Sequence, residues 1–129
     1  MKKVIIAFFA GLLIGLAFLP VAVIATHASM ASRVAQSIAS IDQTKVAISL
    51  YHKKTGKLPL ALSELHKNSL NIEFVAYPIV DGWGYPLHYT PSATNPLSFE
   101  ISSLGADNAP GGHLESADII RLVDIAPAG

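Results

Sequence analysis

An acidic, glycine-rich segment near the carboxyl terminus contains the residues best suited to metal chemistry. Residues 103–118 include the carboxylates of Asp107, Glu115 and Asp118, together with glycines that allow backbone carbonyls to turn inward. Calcium prefers oxygen ligands from carboxylates, carbonyls and water, and this segment supplies both protein types. The composition of the segment therefore suggests a calcium site.

Residue types alone nevertheless favour a purely structural interpretation of the same segment. Asp107-Asn108 can form a turn and Gly111-Gly112 a flexible tip, and the spacing does not match the EF-hand loop. His113 lies beside the carboxylates, but an imidazole nitrogen is a poor match for calcium. The segment is nonetheless long for a connection in a small domain, and loops of such length usually have a function.

Recognised catalytic motifs are absent from the sequence. It contains no Cys, which excludes thiolate catalysis and disulfides, and no nucleophile-elbow, zinc-protease or phosphate-binding motif occurs. A hydrolase that uses Asp107 and Glu115 as a carboxylate pair is the catalytic alternative, although such a loop suits calcium better. Nine basic residues balance nine acidic ones, so no basic surface for nucleic acid is expected. We predict a protein that is not an enzyme and does not bind nucleic acid.

Three short strands are predicted, two before the acidic segment and one after it. Leu87–Thr90 and Ser98–Ile101 alternate in polarity, and Ile119–Val123 is rich in β-branched residues. Short connections favour an antiparallel meander, whose apolar face needs a partner.

A helix upstream is the predicted partner of that sheet. Ser29–Tyr51 lacks Gly and Pro, and Lys53–Lys57 ends the helix with Gly56 as its cap. One stripe at helical spacing contains Val34, Ile38, Ile41, Lys45 and Ile48. The stripe fits a helix that packs on its own domain. It equally fits one long helix continuous with an upstream apolar segment and kinked near Pro20.

Between this helix and the first strand, three smaller features are predicted. Ala61–Lys67 reads as a short helix, and Ile72–Tyr77 as an edge segment closed by Pro78. Trp83, between two glycines, reads as a core anchor.

The amino terminus predicts passage through a membrane. After Lys2 and Lys3 the chain runs from Val4 to Ile24 without a charge, close to the roughly 20 apolar residues that span a bilayer. Early positive charge is retained in the cytoplasm, so the rest of the chain is predicted to be periplasmic. We therefore divide the sequence into a membrane anchor or signal segment, residues 1–28, and an extracytoplasmic domain, residues 29–129.

Cleavage of this first segment is an open alternative. Small residues in Val23-Ile24-Ala25 and Thr26-His27-Ala28 suit a signal peptidase. The apolar run exceeds the roughly 7–15 residues of the apolar h-region in a typical signal peptide, which favours an uncleaved single-pass anchor in the inner membrane.

Several separated motifs occur in a recognisable order. They are Asp81-Gly82-Trp83-Gly84-Tyr85-Pro86, Ser103-Leu104-Gly105-Ala106-Asp107, Gly111-Gly112 and Ala117-Asp118-Ile119. With them, residues 42–123 resemble the carboxy-terminal half of the type II secretion system protein G family, the major pseudopilins. Gly82 and Tyr85 replace the family's Pro and Asn, Ser116 replaces a frequent acidic residue, and the family's prepilin leader motif does not occur.

The resemblance implies an α+β, pilin-like fold. In it, a long amino-terminal helix, membrane part plus amphipathic part, packs on a small antiparallel three-stranded sheet with a calcium-binding loop. Carried onto this chain, the implied calcium ligands are the carboxylates of Asp107 and Asp118, the carbonyls of Leu104 and Ala109, and an oxygen of Glu115.

The resemblance also implies a function. We expect a calcium-stabilised structural or assembly subunit of a type II secretion machine, or a related pilus-like machine. Its partners would be other pseudopilins, secretion-machine subunits or copies of itself, at the inner membrane. The alternative is a stand-alone periplasmic binding or adaptor module that has a pseudopilin-like domain and uses its first segment only for export or anchoring.

Overall fold

The computed structural model describes residues 2–66 and 71–127, with side chains from residue 29 onward. The helices and strands are α1 (Lys2–Thr55), a 3-10 helix (Leu62–Leu65), β1 (His88–Pro91), β2 (Ser98–Ser103), a second 3-10 helix (Leu114–Ser116) and β3 (Ile119–Asp124). The chain forms two compact units, Met1–Ser32 and Arg33–Gly129. The second is called the head unit below.

The predicted membrane segment, Val4–Ile24, lies outside the residues whose side chains are described, as do the kink near Pro20 and both cleavage sites. In the part of the chain that is described in full, no helix is long and apolar enough to span a bilayer.

The three predicted strands form one antiparallel sheet in the order β1-β2-β3. Tyr89 lies opposite Ile101 across the first pair, and Ile101 lies opposite Arg121 across the second. Phe99 and Ile101, two residues apart on the central strand, are buried on the inner face. The predicted meander is confirmed, and each strand extends slightly beyond its predicted end.

The helix α1 packs on this sheet through a face that differs from the predicted stripe. Ile41 and Ile48 are buried with Phe99 and Ile101 in one apolar cluster, as predicted. The other buried positions of the helix are Ser37, Thr44, Ala47, Tyr51 and His52. Of the predicted stripe, Val34, Ile38 and Lys45 are only half-buried.

Small polar residues can occupy this face because the helix itself satisfies their hydroxyls. Ser37 Oγ donates to the carbonyl of Arg33 at 2.9 Å, and Thr44 Oγ1 donates to that of Ser40 at 2.7 Å. A hydroxyl bonded four residues back carries no unpaired donor into the core. The apolar pattern therefore indicated a helix correctly but identified only Ile41 and Ile48 of its buried residues.

The end of α1 is formed as predicted. Gly56 has a φ of +78°, a left-handed conformation that other residues adopt at a cost. Its N–H donates to the carbonyl of His52 at 2.8 Å, which caps the last turn.

Two predictions for the connecting segments are wrong, and a third is confirmed in part. Ile72–Tyr77 forms no strand, because the N–H groups of Phe74 and Val75 both bond the carbonyl of Leu65 and so cannot pair in a sheet. The short helix predicted at Ala61–Lys67 is present as a 3-10 helix, Leu62–Leu65, and Lys67 lies outside the described residues. Trp83 is half-buried and lies outside the apolar cluster, so it is not a core anchor.

Two tyrosines tie this connection to α1 and the sheet. The Tyr89 hydroxyl donates to the carbonyl of Pro59 at 2.7 Å, and the Tyr51 hydroxyl to Glu64 Oε2 at 3.4 Å. Burial, with a smaller effect from the negative charge of Glu64, raises the pKa of Tyr89 to about 12. The same two causes raise the pKa of Tyr51. Both phenols therefore remain hydrogen-bond donors well above neutral pH.

The position of the buried face of α1 can be tested with two aliphatic residues on the same helix. Ile48 is 0 % exposed, whereas Val46 is 59 % exposed. Ile48→Ala should lower the free energy of unfolding by about 2–5 kcal/mol, because it leaves a cavity. Val46→Ala should change it by less than about 0.5 kcal/mol. Urea unfolding of the detergent-solubilised chain, followed by fluorescence of its single tryptophan, measures both. Equal losses would show that this face is misplaced.

Candidate functional site

The loop between β2 and β3 is folded back on itself. Near its start, the N–H of Ala106 donates to the carbonyl of Glu115 near its end, at 2.8 Å. The second 3-10 helix then leads into β3, with the N–H of Ala117 bonded to the carbonyl of Leu114 at 3.1 Å. The loop is therefore a closed structure with both ends held on neighbouring strands.

Asp107 lies in a tight turn at the start of this loop. Its Oδ1 accepts the N–H of Ala109 at 3.2 Å, and the N–H of Asn108 donates to the carbonyl of Gly105 at 3.2 Å. Asn108 has a φ of +50°, which asparagine tolerates well. The turn suggested by the residue types is thus formed, with the exposed Asp107 carboxylate bonded to its own loop.

Asp118, where the loop meets β3, has an unusual environment. Its Oδ2 accepts the N–H of Gly111 at 2.9 Å. Its Oδ1 is buried and has no hydrogen-bond partner. A buried carboxylate oxygen without a partner is costly, because water has been removed and nothing replaces it. A cation or a bound water would satisfy this atom.

The predicted ligands do not form a cluster of side chains. Among the residues that the structure describes, no three His, Asp or Glu side chains come together in a way that could hold a metal. Asp107, Glu115 and Asp118 are therefore not a three-carboxylate site. The donors still fit calcium in kind, since this ion accepts backbone carbonyls beside one or two carboxylates.

The second 3-10 helix begins at a strained apolar residue. Leu114 has a φ of +53°, a conformation that costs a non-glycine residue energy, and its side chain is 91 % exposed. The closed loop rather than the preference of Leu114 therefore sets the backbone at this point.

A second polar site, which the sequence reasoning missed, lies at the carboxyl end of β2, where the β2–β3 loop begins. Asp81 is buried, and its Oδ1 accepts the N–H groups of Trp83 at 3.0 Å and Tyr85 at 2.9 Å. Its Oδ2 accepts the hydroxyl of Ser103 at 2.7 Å. The N–H of Gly105 in turn donates to Ser103 Oγ at 3.2 Å. One carboxylate thus links the turn at residues 81–85 to the start of the β2–β3 loop.

The same turn is fastened to α1 by small residues. Gly82 N–H donates to Ser37 Oγ at 2.8 Å, and Ser40 Oγ donates to the carbonyl of Val80 at 2.6 Å. A Cβ on Gly82 would collide with the backbone of Arg33. The proline that the family has at this position would lack the N–H that Ser37 accepts.

We call Ser37, Ser40, Asp81, Gly82 and Ser103 together the Asp81 junction. The sequence carried a partial signal for it, because Ser37 and Ser40 lie three apart and therefore on one side of α1, beside Ile41. The quoted motif also contained Asp81 and Gly82. What the sequence could not show is that these residues meet.

A helix packed on a three-stranded antiparallel meander, with a closed acidic loop before the last strand, defines a pilin-like α+β protein. The family model described as type II secretion system (T2SS), protein G matches residues 24–122, and the chain belongs to this family. A search of curated proteins finds no match.

The Asp81 junction predicts that replacing Asp81 lowers the free energy of unfolding more than replacing the exposed Asp42 does. Asp81→Asn leaves one acceptor oxygen where the carboxylate had two, so at least one buried donor loses its partner. We expect the free energy of unfolding to fall by about 1–3 kcal/mol. Asp42→Asn, at an exposed position whose nearest ion pair is a 3.9 Å contact with Lys45, should change it by less than about 0.5 kcal/mol. Urea unfolding measures both, and an Asp81→Asn protein as stable as wild type would contradict the assigned role.

Proposed function

We propose that this protein is a structural subunit of a type II secretion machine, or of a related pilus-like machine, at the inner membrane. The family match over residues 24–122 carries the proposal. The family is structural rather than catalytic, and we propose no catalysis for this chain.

The amino-terminal segment would anchor the subunit. Lys2 and Lys3 would stay in the cytoplasm, Val4–Ile24 would cross the membrane, and the head unit would lie in the periplasm. Neighbouring subunits would bury their apolar helices against each other, with the head units forming the outer surface. The packed core and the Asp81 junction support this role, because they give the head unit a fixed shape.

We further propose that calcium stabilises the β2–β3 loop. Asp118 would bind through its unpartnered oxygen, with the carboxylate of Asp107, the carbonyls of Leu104 and Ala109, and an oxygen of Glu115 as further ligands. The ion would supply positive charge to two carboxylates and hold the two parts of the loop together. The buried, unpaired oxygen of Asp118 is the observation that supports this site.

The anchored-subunit proposal predicts the state of the chain in cells. Its intact mass and amino-terminal sequence, measured separately in membrane and soluble periplasmic fractions, should show an uncleaved chain confined to the membrane. Crosslinking in those membranes should capture pilin-like or secretion-machine subunits. A soluble chain that begins near Thr26 or Ser29 and captures no such subunit would instead support the stand-alone binding module.

The calcium proposal predicts a metal-dependent shift in the melting temperature. Calcium at about 1 mM should raise it, because an ion that binds only the folded state stabilises that state. Asp118→Asn should remove the shift, whereas the exposed control Asp42→Asn should retain it. An unchanged melting temperature in wild type, together with no heat of binding in calorimetry, would reject the site.

A further inference from the structure

A groove runs along the head unit between α1 and the last residues before the carboxyl terminus. It has a volume of about 520 Å³ and is lined on the helix side by Val46 and Leu50 and on the other side by residues 125–127. Lys45, the residue before Val46, and Lys53, about one turn after Leu50, line it as well. We call this surface the lysine groove.

The outer face of the sheet has apolar side chains beside negative charges. Leu122 on β3 is 81 % exposed and lies directly opposite Glu100 on β2. Asp124 and Ile120, two residues to either side, share its face, and Ile120 is 48 % exposed. We call Glu100, Ile120, Leu122 and Asp124 the leucine ridge.

The charges on the two surfaces are available for pairing. Within the described part of the chain, Lys53 and Glu100 form no ion pair, and the contact of Lys45 with Asp42 is long and exposed. Asp124 accepts the hydroxyl of Ser98, which orients its carboxylate without neutralising it. The lysine groove therefore has positive side chains beside its apolar residues. The leucine ridge has negative side chains beside the exposed Leu122.

We propose that the lysine groove of one copy binds the leucine ridge of a second copy. Leu122 would lie against Val46 and Leu50. Glu100 would face Lys53, and Asp124 would face Lys45. Cavities of roughly 300–1,000 Å³ hold small ligands, so the groove has room for the Leu122 side chain. The contact joins two different surfaces and is therefore heterologous, a type that forms rings or filaments.

A second copy explains the pattern better than a lipid surface does. A membrane of anionic lipid would bind the lysines. It would not explain why Leu122 is exposed beside the carboxylates of Glu100 and Asp124. This interface uses residues of the head unit only, so it goes beyond the proposed packing of amino-terminal helices.

Disulfide trapping tests the contact directly, because the chain contains no cysteine and any disulfide must join introduced thiols. Full-length Leu50→Cys and Leu122→Cys chains, with tags of different size, would be co-expressed and oxidised in membranes. We expect severalfold more mixed dimer than in a control that pairs Leu50→Cys with Leu60→Cys, at another highly exposed leucine. Equal trapping in both pairs would overturn the proposal.

Charge reversal then asks whether the trapped contact has the proposed chemistry. Lys53→Glu in the Leu50→Cys chain, or Glu100→Lys in the Leu122→Cys chain, should each reduce the mixed dimer severalfold. Both changes together should restore it, because the ion pair is re-formed with its signs exchanged. Failure of the double reversal to restore trapping, while both chains keep wild-type fluorescence of Trp83, would overturn the pairing.

The outcome separates this inference from the proposed function. One outcome is that the Leu50→Cys and Leu122→Cys chains form no mixed disulfide and still crosslink to secretion-machine subunits. In that case the head interface is wrong and the subunit role stands. If the disulfide forms in a soluble, cleaved chain that captures no such subunit, the interface stands and the subunit role fails.

Discussion

The structure of the head unit depends on one apolar contact between α1 and the central strand β2. Ile41 and Ile48 on the helix are buried with Phe99 and Ile101 on the strand. The chain has no cysteine, so no disulfide can substitute for this burial. A three-stranded sheet needs such a partner to be stable, and the helix provides it. Both outer strands depend in turn on β2, because within the described residues β2 is the strand with which each of them pairs.

Polar contacts then specify where the connecting segments lie on this core. Asp81 satisfies donors from its own turn and from the end of β2, while Ser37 and Ser40 hold the same turn on α1. Hydrogen bonds of this kind add modestly to stability, but a mispositioned turn would leave the buried Asp81 carboxylate unpaired at a much higher cost. The Asp81 junction therefore selects one arrangement of helix, turn and strand.

Both proposed binding sites include groups that this framework leaves without a partner. The buried oxygen of Asp118 lacks a partner, and Leu122 is exposed on a face whose neighbours are acidic. Both residues belong to or border β3, the last strand of the sheet. The core holds this strand from one side only, so its outer face and the loop before it are free to bind ions or other molecules.

The sequence by itself determined the strands, the antiparallel order and the end of α1 at Gly56, because alternation, turn residues and caps are local signals. It also identified the family and the acidic loop. Only the tertiary structure decided that Ser37 and Thr44 face the core, that Ile72–Tyr77 does not pair, and that Trp83 lies outside the core. These outcomes depend on hydrogen bonds and on packing between segments that are distant in the sequence. The residue pattern of a single segment carries no information about such contacts.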